Sequence, residues 1–316
     1  MSEPKYTQED FTERMICVPI EDFVATEFSY TYIIDPILPA GGIACIHGKG
    51  GSGKTQLLFS MIKSIVQGTD FLGKWPTRKG KVIYFQFDMP HALYADRWRK
   101  ALQGLDPGGM IHTVPWRGIN IMDDSVRDEV GAMIAEVNPA LIVIDTLRKC
   151  HHLDENDNAV PSIVYGAWKE IMGNAAIEFI HHDKKSFSQM YRGTIREQHN
   201  WLEGFRGARA WVDDAELGLS VFKPDQKKNR ILLRTTKHYC APEHCPDEIL
   251  KLNPVTLLAE PIWTTHEWAQ HYAYKEGIRD QTKLTKLVEV SAEVSNSMAS
   301  RAAKDTLEHM QKLGLN

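Results

Sequence analysis

A glycine-rich segment of eight residues constrains the fold of this chain more than any other feature. It reads Gly48-Lys49-Gly50-Gly51-Ser52-Gly53-Lys54-Thr55, which is the G-x-x-x-x-G-K-[ST] pattern of a phosphate-binding loop. The apolar run Ile43 to Ile46 before it predicts a buried strand, and the residues after it have helical apolar spacing from about Lys54 to Gln67. Because the pattern lies between a strand and a helix, as it must, it indicates a phosphate site and not a chance turn.

Each residue type in this loop has a chemical task. The glycines let backbone N–H groups wrap phosphates, and the N-terminus of the following helix adds positive potential. We expect Lys54 to reach the β- and γ-phosphates and the Thr55 hydroxyl to bind Mg²⁺. ATP and Mg²⁺ are therefore the expected cofactors. The expected nucleotide-binding residues are Gly48, Gly50, Gly51, Ser52, Gly53, Lys54, Thr55 and Gln56.

Strand and helix patterns alternate after the loop, which predicts an α/β fold with a mostly parallel central sheet flanked by helices. The continuous apolar run Leu141–Ile144 is typical of a strand buried on both faces. Strands are predicted at 80–87, Ile111–Val114, 140–145 and Ile177–His181, and helices at about Pro90–Leu102, Val126–Val137 and Val160–Gly173. Two further strands, Leu217–Lys223 and Arg230–Thr236, flank a Pro-Asp turn and predict a hairpin.

Length and composition limit the class of protein. The 316 residues suffice for one large domain and a small appendage, so we divide the chain into a lead-in (1–28), an α/β domain that carries the phosphate loop (29–262) and a helical C-terminal region (263–316). The chain has no stretch that approaches 18 apolar residues, so the sequence does not predict a membrane span. Five scattered cysteines do not form a disulfide framework, which favours a cytoplasmic protein. The net charge of −4 argues against a general nucleic-acid coat but allows a local basic channel.

Three residues at predicted strand ends are the candidate catalytic groups besides Lys54, because ligands of such folds gather at the carboxyl ends of the strands. Asp145 suits Mg²⁺, unless it caps a helix or forms a salt bridge. Asp88 could deprotonate the attacking water, or it could simply be the turn residue before Pro90. His182 could sense the γ-phosphate, or His181 and His182 could be one buried structural and one exposed histidine.

The motifs resemble those of the hexameric replicative helicases of the RepA plasmid type, over about residues 28–260. The segments that carry the resemblance are Asp145-Thr146-Leu147-Arg148 with 154–158, His181-His182-Asp183-Lys184-Lys185, Arg206 to Asp214, and Thr236-Lys237-His238-Tyr239. The resemblance implies a RecA-like core that assembles in hexameric rings, with ATP between subunits and single-stranded DNA in the channel. It places Asp88 at the position of the family's catalytic glutamate, and Glu216 where relatives commonly carry an arginine. It also makes Arg234 or Lys237 a candidate trans cation for the neighbouring subunit, the alternative being a surface cation.

The segment 183–204 is long, polar and without clear periodicity, and it follows the candidate His182 directly. It carries Lys184, Lys185, Arg192 and Arg196 with Phe187, Tyr191, His199 and Trp201 interleaved. Cations and aromatic rings suit the backbone and bases of a single strand, so we expect it to bind DNA. The alternative is a solvated flexible loop.

Weaker patterns leave alternatives open. Residues 281–316 predict two or three helices, with a loose helix-turn-helix match whose recognition helix begins at about Met298; a helical cap or an oligomerisation element is the alternative. His238, Cys240, His244 and Cys245 could form a zinc site, although their spacing matches no standard pattern and exposed loop residues explain them as well. The leading interpretation is a DNA-dependent ATPase that acts as a ring helicase. The alternatives are a recombination ATPase of the RecA type and a nucleotide-gated switch with slow hydrolysis.

Overall fold

The computed structural model describes residues 5–7, 10–11, 15–28, 31–183, 207, 209–223, 229–238, 248–262, 265–292 and 295–312. The strands are β1 Tyr32–Ile34, β2 Leu38–Pro39, β3 Ile43–Gly48, β4 Val82–Gln86, β5 Ile111–Pro115, β6 Leu141–Asp145, β7 Ala176–His182, β8 Leu217–Phe222, β9 Arg230–His238, β10 Glu248–Leu252 and β11 Ala259–Pro261. The α-helices are α1 Ile20–Ala25, α2 Lys54–Gln67, α3 His91–Ala101, α4 Asp124–Val137, α5 Val160–Lys169, α6 Ala210–Asp213, α7 Thr265–Gln270, α8 Gln281–Ala292 and α9 Asn296–Lys312.

Nine strands form one sheet in the order β5-β4-β6-β7-β3-β8-β9-β10-β11. The strands from β5 to β8 pair in parallel, whereas β9, β10 and β11 are antiparallel to their neighbours. The parallel register brings Gln86 of β4 opposite Asp145 of β6, and His182 of β7 opposite Gly48 of β3. This is a RecA-like P-loop NTPase fold, so the predicted fold class is confirmed.

Alternate residues of the central strands enter two apolar layers, one on each face of the sheet. Leu141 and Val143 of β6 pack on the face that α2 covers, while Ile142 and Ile144 pack on the face covered by α4 and α5. This double burial explains why β6 is a continuous apolar run. Helix α2 has the predicted bounds and ends at Gly68, whose φ of +72° provides a left-handed C-cap.

One helix near the N-terminus and two strands after the predicted hairpin were missed by the sequence interpretation. The expected polar lead-in contains α1, and the rings of Phe11, Phe23 and Phe28 cluster with centroids 4.9–5.5 Å apart. The predicted pairing of β8 with β9 is confirmed. Strands β10 and β11 extend the sheet beyond this pair. The Pro-Asp turn itself lies outside the described residues.

The C-terminal residues form a small separate core. Helices α7, α8 and α9, together with the π-helical segment His271–Lys275, pack through Ala269, Ala273, Leu284, Val288, Ala299, Ala302, Ala303 and Met310. Residues 281–316 were predicted to form two or three helices, and α8 and α9 confirm two of them. The helix-turn-helix assignment stays a prediction. In the described part of the chain, no helix combines the length and apolar character that crossing a membrane requires.

Candidate nucleotide site

The glycine-rich segment forms a loop that only glycine permits at its two ends. Gly48 and Gly53 have φ values of +155° and +101°. A Cβ at Gly48 would lie 2.3 Å from the Val221 carbonyl oxygen, and one at Gly53 would lie 3.0 Å from a Leu252 methyl carbon. At Gly50 and Gly51 a Cβ would meet nothing within 4 Å. The two end glycines therefore pack the loop against the sheet, while its middle faces open space.

Lys54, the first residue of α2, is folded back onto the loop that carries it. Its Nζ donates to the carbonyl oxygens of Gly48 at 2.6 Å and Lys49 at 2.8 Å, and lies 3.4 Å from His182 Nδ1. The side chain is buried, and this burial lowers the pKa of Lys54 to about 8, against the opposing effect of nearby carboxylates. An anion near Nζ would offset the loss of hydration that burial causes.

Asp145 ends β6 and is buried at the carboxyl edge of the sheet. Tyr84 on the adjacent strand β4 donates from Oη to Asp145 Oδ2 at 2.6 Å. Burial raises the pKa of the Asp145 carboxyl, and the Tyr84 hydrogen bond and the charge of Lys54 oppose that rise. Tyr84 therefore fixes one carboxylate oxygen, a contact that the sequence interpretation missed.

Asp88 lies just beyond β4, in an exposed turn that Gln86 holds in place. In the amide orientation that satisfies both ends of the Gln86 side chain, its nitrogen donates to the Met89 carbonyl at 3.0 Å. Its oxygen accepts from the backbone N–H of Asp88 at 3.2 Å and from that of Met89. Gln86 is thus a second residue that the sequence interpretation missed, and it sets the position of Asp88.

These residues surround a cavity of about 340 Å³. Of the predicted site residues, Lys54, Asp88, Asp145, His182, Gly51, Ser52, Gly53, Thr55 and Gln56 line it, whereas Gly48 and Gly50 do not. A second cavity, of about 410 Å³, shares Asp88 and His182 with the first. His181 is buried. His182 is half-buried and lines both cavities, so it is not the exposed histidine of the alternative interpretation.

The residues present fit a nucleotide with Mg²⁺. The Oγ of Ser52 is buried and has no hydrogen-bond partner among the described residues, and Lys54 Nζ meets loop carbonyls and a histidine nitrogen there. Thr55 and Asp145 present a hydroxyl and a carboxylate to the same cavity, and oxygen ligands are the ones that Mg²⁺ prefers. The site therefore has donors available for phosphate oxygens and two oxygen ligands for the metal.

Arg97 on α3 is a third residue that the sequence interpretation missed. It lines the nucleotide cavity, and its positive charge opposes the rise in the pKa of Asp145. Helix α3 begins directly after Asp88-Met89-Pro90, so one turn and one helix bring both an acid and a cation to the site. A single arginine in a mixed helix gave no sequence signal.

Other predicted residues lie away from the cavity or outside the described residues. Arg234 and Lys237 are on β9, and the Nζ of Lys237 donates to the Asp213 carbonyl; neither lines the nucleotide cavity. Glu216 holds the start of β3, since its Oε2 accepts from Ile43 N at 2.7 Å. The four candidate DNA-binding residues, Lys184, Lys185, Arg192 and Arg196, lie outside the described residues.

The weak zinc pattern lies mostly outside the described residues. Only His238 of the four residues lies within the described part of the chain. In that part, no three histidine, cysteine or acidic side chains are grouped as a metal site would require.

Comparison with known families decides the relationship of this chain. The profile of the AAA domain family matches residues 10–187, which is more than half of the chain. The chain belongs to the AAA domain family. The matched range begins inside the segment that we expected to be a lead-in, and it includes the phosphate loop, Asp88, Asp145 and His182.

A solved structure supports the fold of this AAA family member. The ATPase domain of the protein G40-P matches with a TM-score of 0.52 and 11% sequence identity, over 82% of this chain and 92% of that one. At this identity the likeness shows the fold. No curated protein matches the chain.

The hydrogen bond between Tyr84 and Asp145 leads to a first prediction. Tyr84→Phe should raise the Mg²⁺ concentration needed for half-maximal ATP turnover by about tenfold or more, because groups that orient a metal ligand typically contribute this much to metal affinity. Nucleotide binding without metal should not change. Tyr94→Phe is the matched control, since the buried Tyr94 hydroxyl pairs with Thr113 instead. Overlapping Mg²⁺ titrations of parent and Tyr84→Phe would contradict this role.

Proposed function

We propose that this chain is a DNA-dependent ATPase, a ring-forming helicase of the RepA plasmid type that translocates on single-stranded DNA. The observation that carries the proposal is the meeting of Lys54, Asp88, Asp145 and His182 around one cavity at the carboxyl edge of the sheet. Two of these residues, Asp88 and His182, also line the second cavity, and the candidate DNA segment begins immediately after His182.

In this proposal the chain's own residues position the phosphates and accept the proton in ATP hydrolysis. Lys54 moves its Nζ from the carbonyls of Gly48 and Lys49 to the phosphate oxygens. Asp88 accepts a proton from the water whose oxygen attacks the γ-phosphorus while the bond to the leaving ADP oxygen breaks. Held by Thr55 and Asp145, Mg²⁺ would neutralise charge on the β- and γ-phosphate oxygens.

A ring completes the site in this proposal. The nucleotide lies between subunits of a homo-hexamer, and Arg234 or Lys237 of one subunit reaches the γ-phosphate held by the next. Both cations lie on β9, a strand of the same sheet that carries the phosphate loop. The single strand occupies the channel and contacts Lys184, Lys185, Arg192 and Arg196, and the acidic overall charge fits a basic surface that faces inward.

Removing two of the proposed DNA contacts tests this function. The double variant Lys184→Ala/Lys185→Ala should lower the ratio of ATPase rates with and without single-stranded DNA. It should also flatten the salt dependence of DNA affinity by about one to two units of log–log slope, because two phosphates are no longer neutralised. The matched control is Lys79→Ala/Lys81→Ala, two exposed lysines at the amino end of β4. Unchanged affinity and stimulation in the Lys184/Lys185 variant would favour a nucleotide-gated switch.

A further inference from the structure

Four exposed side chains cluster at the carboxyl edge of the sheet outside the nucleotide cavity. They are Trp116, Arg117, Arg148 and Lys149, and we call them the edge patch. Trp116 is 63% exposed, although it directly follows strand β5. Arg148 and Lys149 lie in the short 3-10 helix Leu147–Lys149 that follows β6. Trp116, Arg117 and Lys149 lie outside the motifs of the nucleotide site, whereas Arg148 is the last residue of the segment Asp145-Thr146-Leu147-Arg148.

Backbone contacts bring the two halves of the edge patch together. The Trp116 N–H donates to the Gln86 carbonyl at 3.0 Å, and the Ile119 N–H donates to the Lys149 carbonyl at 2.9 Å. Between them, Gly118 has a φ of +138°, and a Cβ there would lie 2.9 Å from the Lys149 carbonyl oxygen. Glycine at 118 therefore lets residues 118 and 119 lie against the 3-10 helix at Lys149, while Trp116, two residues earlier in the same segment, lies against the end of β4.

The charge of the edge patch is not neutralised by ion pairs in the described part of the chain. Arg117, Arg148 and Lys149 form no salt bridge there, whereas other cations such as Lys169 and Arg127 do. The chain as a whole carries a formal charge of −4, so three neighbouring cations form a local exception. Such a surface attracts anions, and an exposed indole ring among the cations adds a stacking face.

The edge patch is continuous with the nucleotide site through the second cavity. Arg148 and Lys149 line this cavity of about 410 Å³ together with Thr146, His181 and His182. Two carboxylates, those of Asp88 and Glu155, line it as well. A ligand on the edge patch therefore adjoins Asp88, the residue placed to activate water.

We propose that the edge patch binds single-stranded nucleic acid, with one base stacked on Trp116 and the flanking phosphates paired with Arg117, Arg148 and Lys149. An aromatic ring among cations provides both interactions that a single strand offers without sequence preference. This inference rests on the proposed function and adds a contact surface outside the segment 183–204. It also places bound nucleic acid directly beside the hydrolytic end of the nucleotide site.

Affinity for a fluorescein-labelled oligo(dT) of about 25 nucleotides tests the stacking contact on the full chain. Trp116→Ala should weaken binding about five- to a hundredfold, and Trp116→Phe should retain most of the affinity, because any aromatic face can stack on a base. Circular dichroism and thermal unfolding check that each variant folds. Should Trp116→Ala fail to fold, the comparison of Trp116→Phe with Trp116→Leu replaces it.

A double variant that removes two cations of the edge patch tests the phosphate contacts. Arg117→Gln/Lys149→Gln should flatten the log–log salt dependence of oligo(dT) affinity by about 1.4 units, at about 0.7 for each single-strand phosphate that is no longer neutralised. The matched control, Arg78→Gln/Lys81→Gln, removes one arginine and one lysine from exposed positions before β4 and should leave the slope unchanged.

The outcomes separate this inference from the function on which it rests. If the parent does not bind oligo(dT) at all, both the proposed function and the edge patch are refuted. If the parent binds and the two patch variants bind equally well, the edge patch is refuted and the proposed function stands. If Trp116→Ala changes the mass of the assembly and affinity falls only for that reason, the patch is a contact between copies of the chain, which also contradicts the proposal.

Discussion

Lys54→Ala is expected to lower ATP turnover by about a hundred- to a thousandfold, the effect of removing one preorganised donor from a charged transition state. Nζ of Lys54 is the side-chain cation at the start of α2, and it already contacts the two loop carbonyls next to the phosphate site. Alanine keeps the helix but removes this charge. Phosphate release measures the loss of turnover, and the affinity for a fluorescent ATP analogue measures the loss of nucleotide binding.

The control for Lys54→Ala is Lys63→Ala, which removes a lysine from the same helix α2 at a half-buried position away from the cavity. It should turn over ATP like the parent. Parent-like turnover by Lys54→Ala itself would show that the glycine-rich loop is not the phosphate site, and the assignment of the whole cavity would be wrong.

Asp88→Asn should retain ATP binding and lower turnover by about a hundred- to ten-thousandfold, because an amide cannot accept the proton from the attacking water. The Gln86 side chain contacts the backbone of Asp88 and Met89, so the turn should keep its shape when the carboxylate becomes an amide. Single-turnover hydrolysis together with nucleotide affinity separates the chemical step from binding.

Asp88→Glu is the more informative variant at this position. The resemblance places a glutamate there in relatives, and aspartate is one methylene shorter. Faster turnover in Asp88→Glu would mean that the shorter acid limits how the water is placed, whereas slower turnover would mean that the pocket is adapted to aspartate.

The control for Asp88→Asn is Asp96→Asn, since Asp96 lies on α3 outside the cavity lining and pairs with Lys100. Undiminished hydrolysis in Asp88→Asn would contradict a base at Asp88 and favour another water-positioning group.

Most of the fold could be predicted because the central helix and strands have simple patterns of buried apolar residues. Helix α2 follows a motif that fixes its first residue, and Gly68 fixes its end. The strand β6 is buried on both faces, so that its apolar run and its terminal Asp145 are both visible in the sequence. Parallel strands then place Asp145, His182 and the phosphate loop at one edge, since the register aligns their carboxyl ends.

The supporting contacts of the site could not be predicted, because they depend on which side chains meet across strands. Tyr84 reads in the sequence as one more aromatic residue of a buried strand, and only the register of β4 with β6 brings its hydroxyl to Asp145. The role of Gln86 depends on the turn after β4. The segment 116–119 and Lys149 are far apart in the sequence, and the close approach of Gly118 to the Lys149 carbonyl is visible only in the structure.

One edge of the sheet and the N-terminal helix were missed for a different reason. Strand β10 alternates buried and exposed residues over only five positions, Glu248 to Leu252, and β11 has three residues. Patterns this short do not differ from those of loops. The N-terminal helix α1 has no buried residue, so it leaves no amphipathic signal for a core.

In the proposed function, ATP hydrolysis at this site responds to single-stranded DNA. The decisive measurement is the steady-state rate of phosphate release by the full chain with Mg²⁺ and ATP, in the presence and absence of saturating oligo(dT). We expect measurable basal turnover that rises several-fold with the oligonucleotide and disappears in Lys54→Ala. Tight ATP binding with negligible turnover under both conditions would contradict the claim and identify a nucleotide-gated switch.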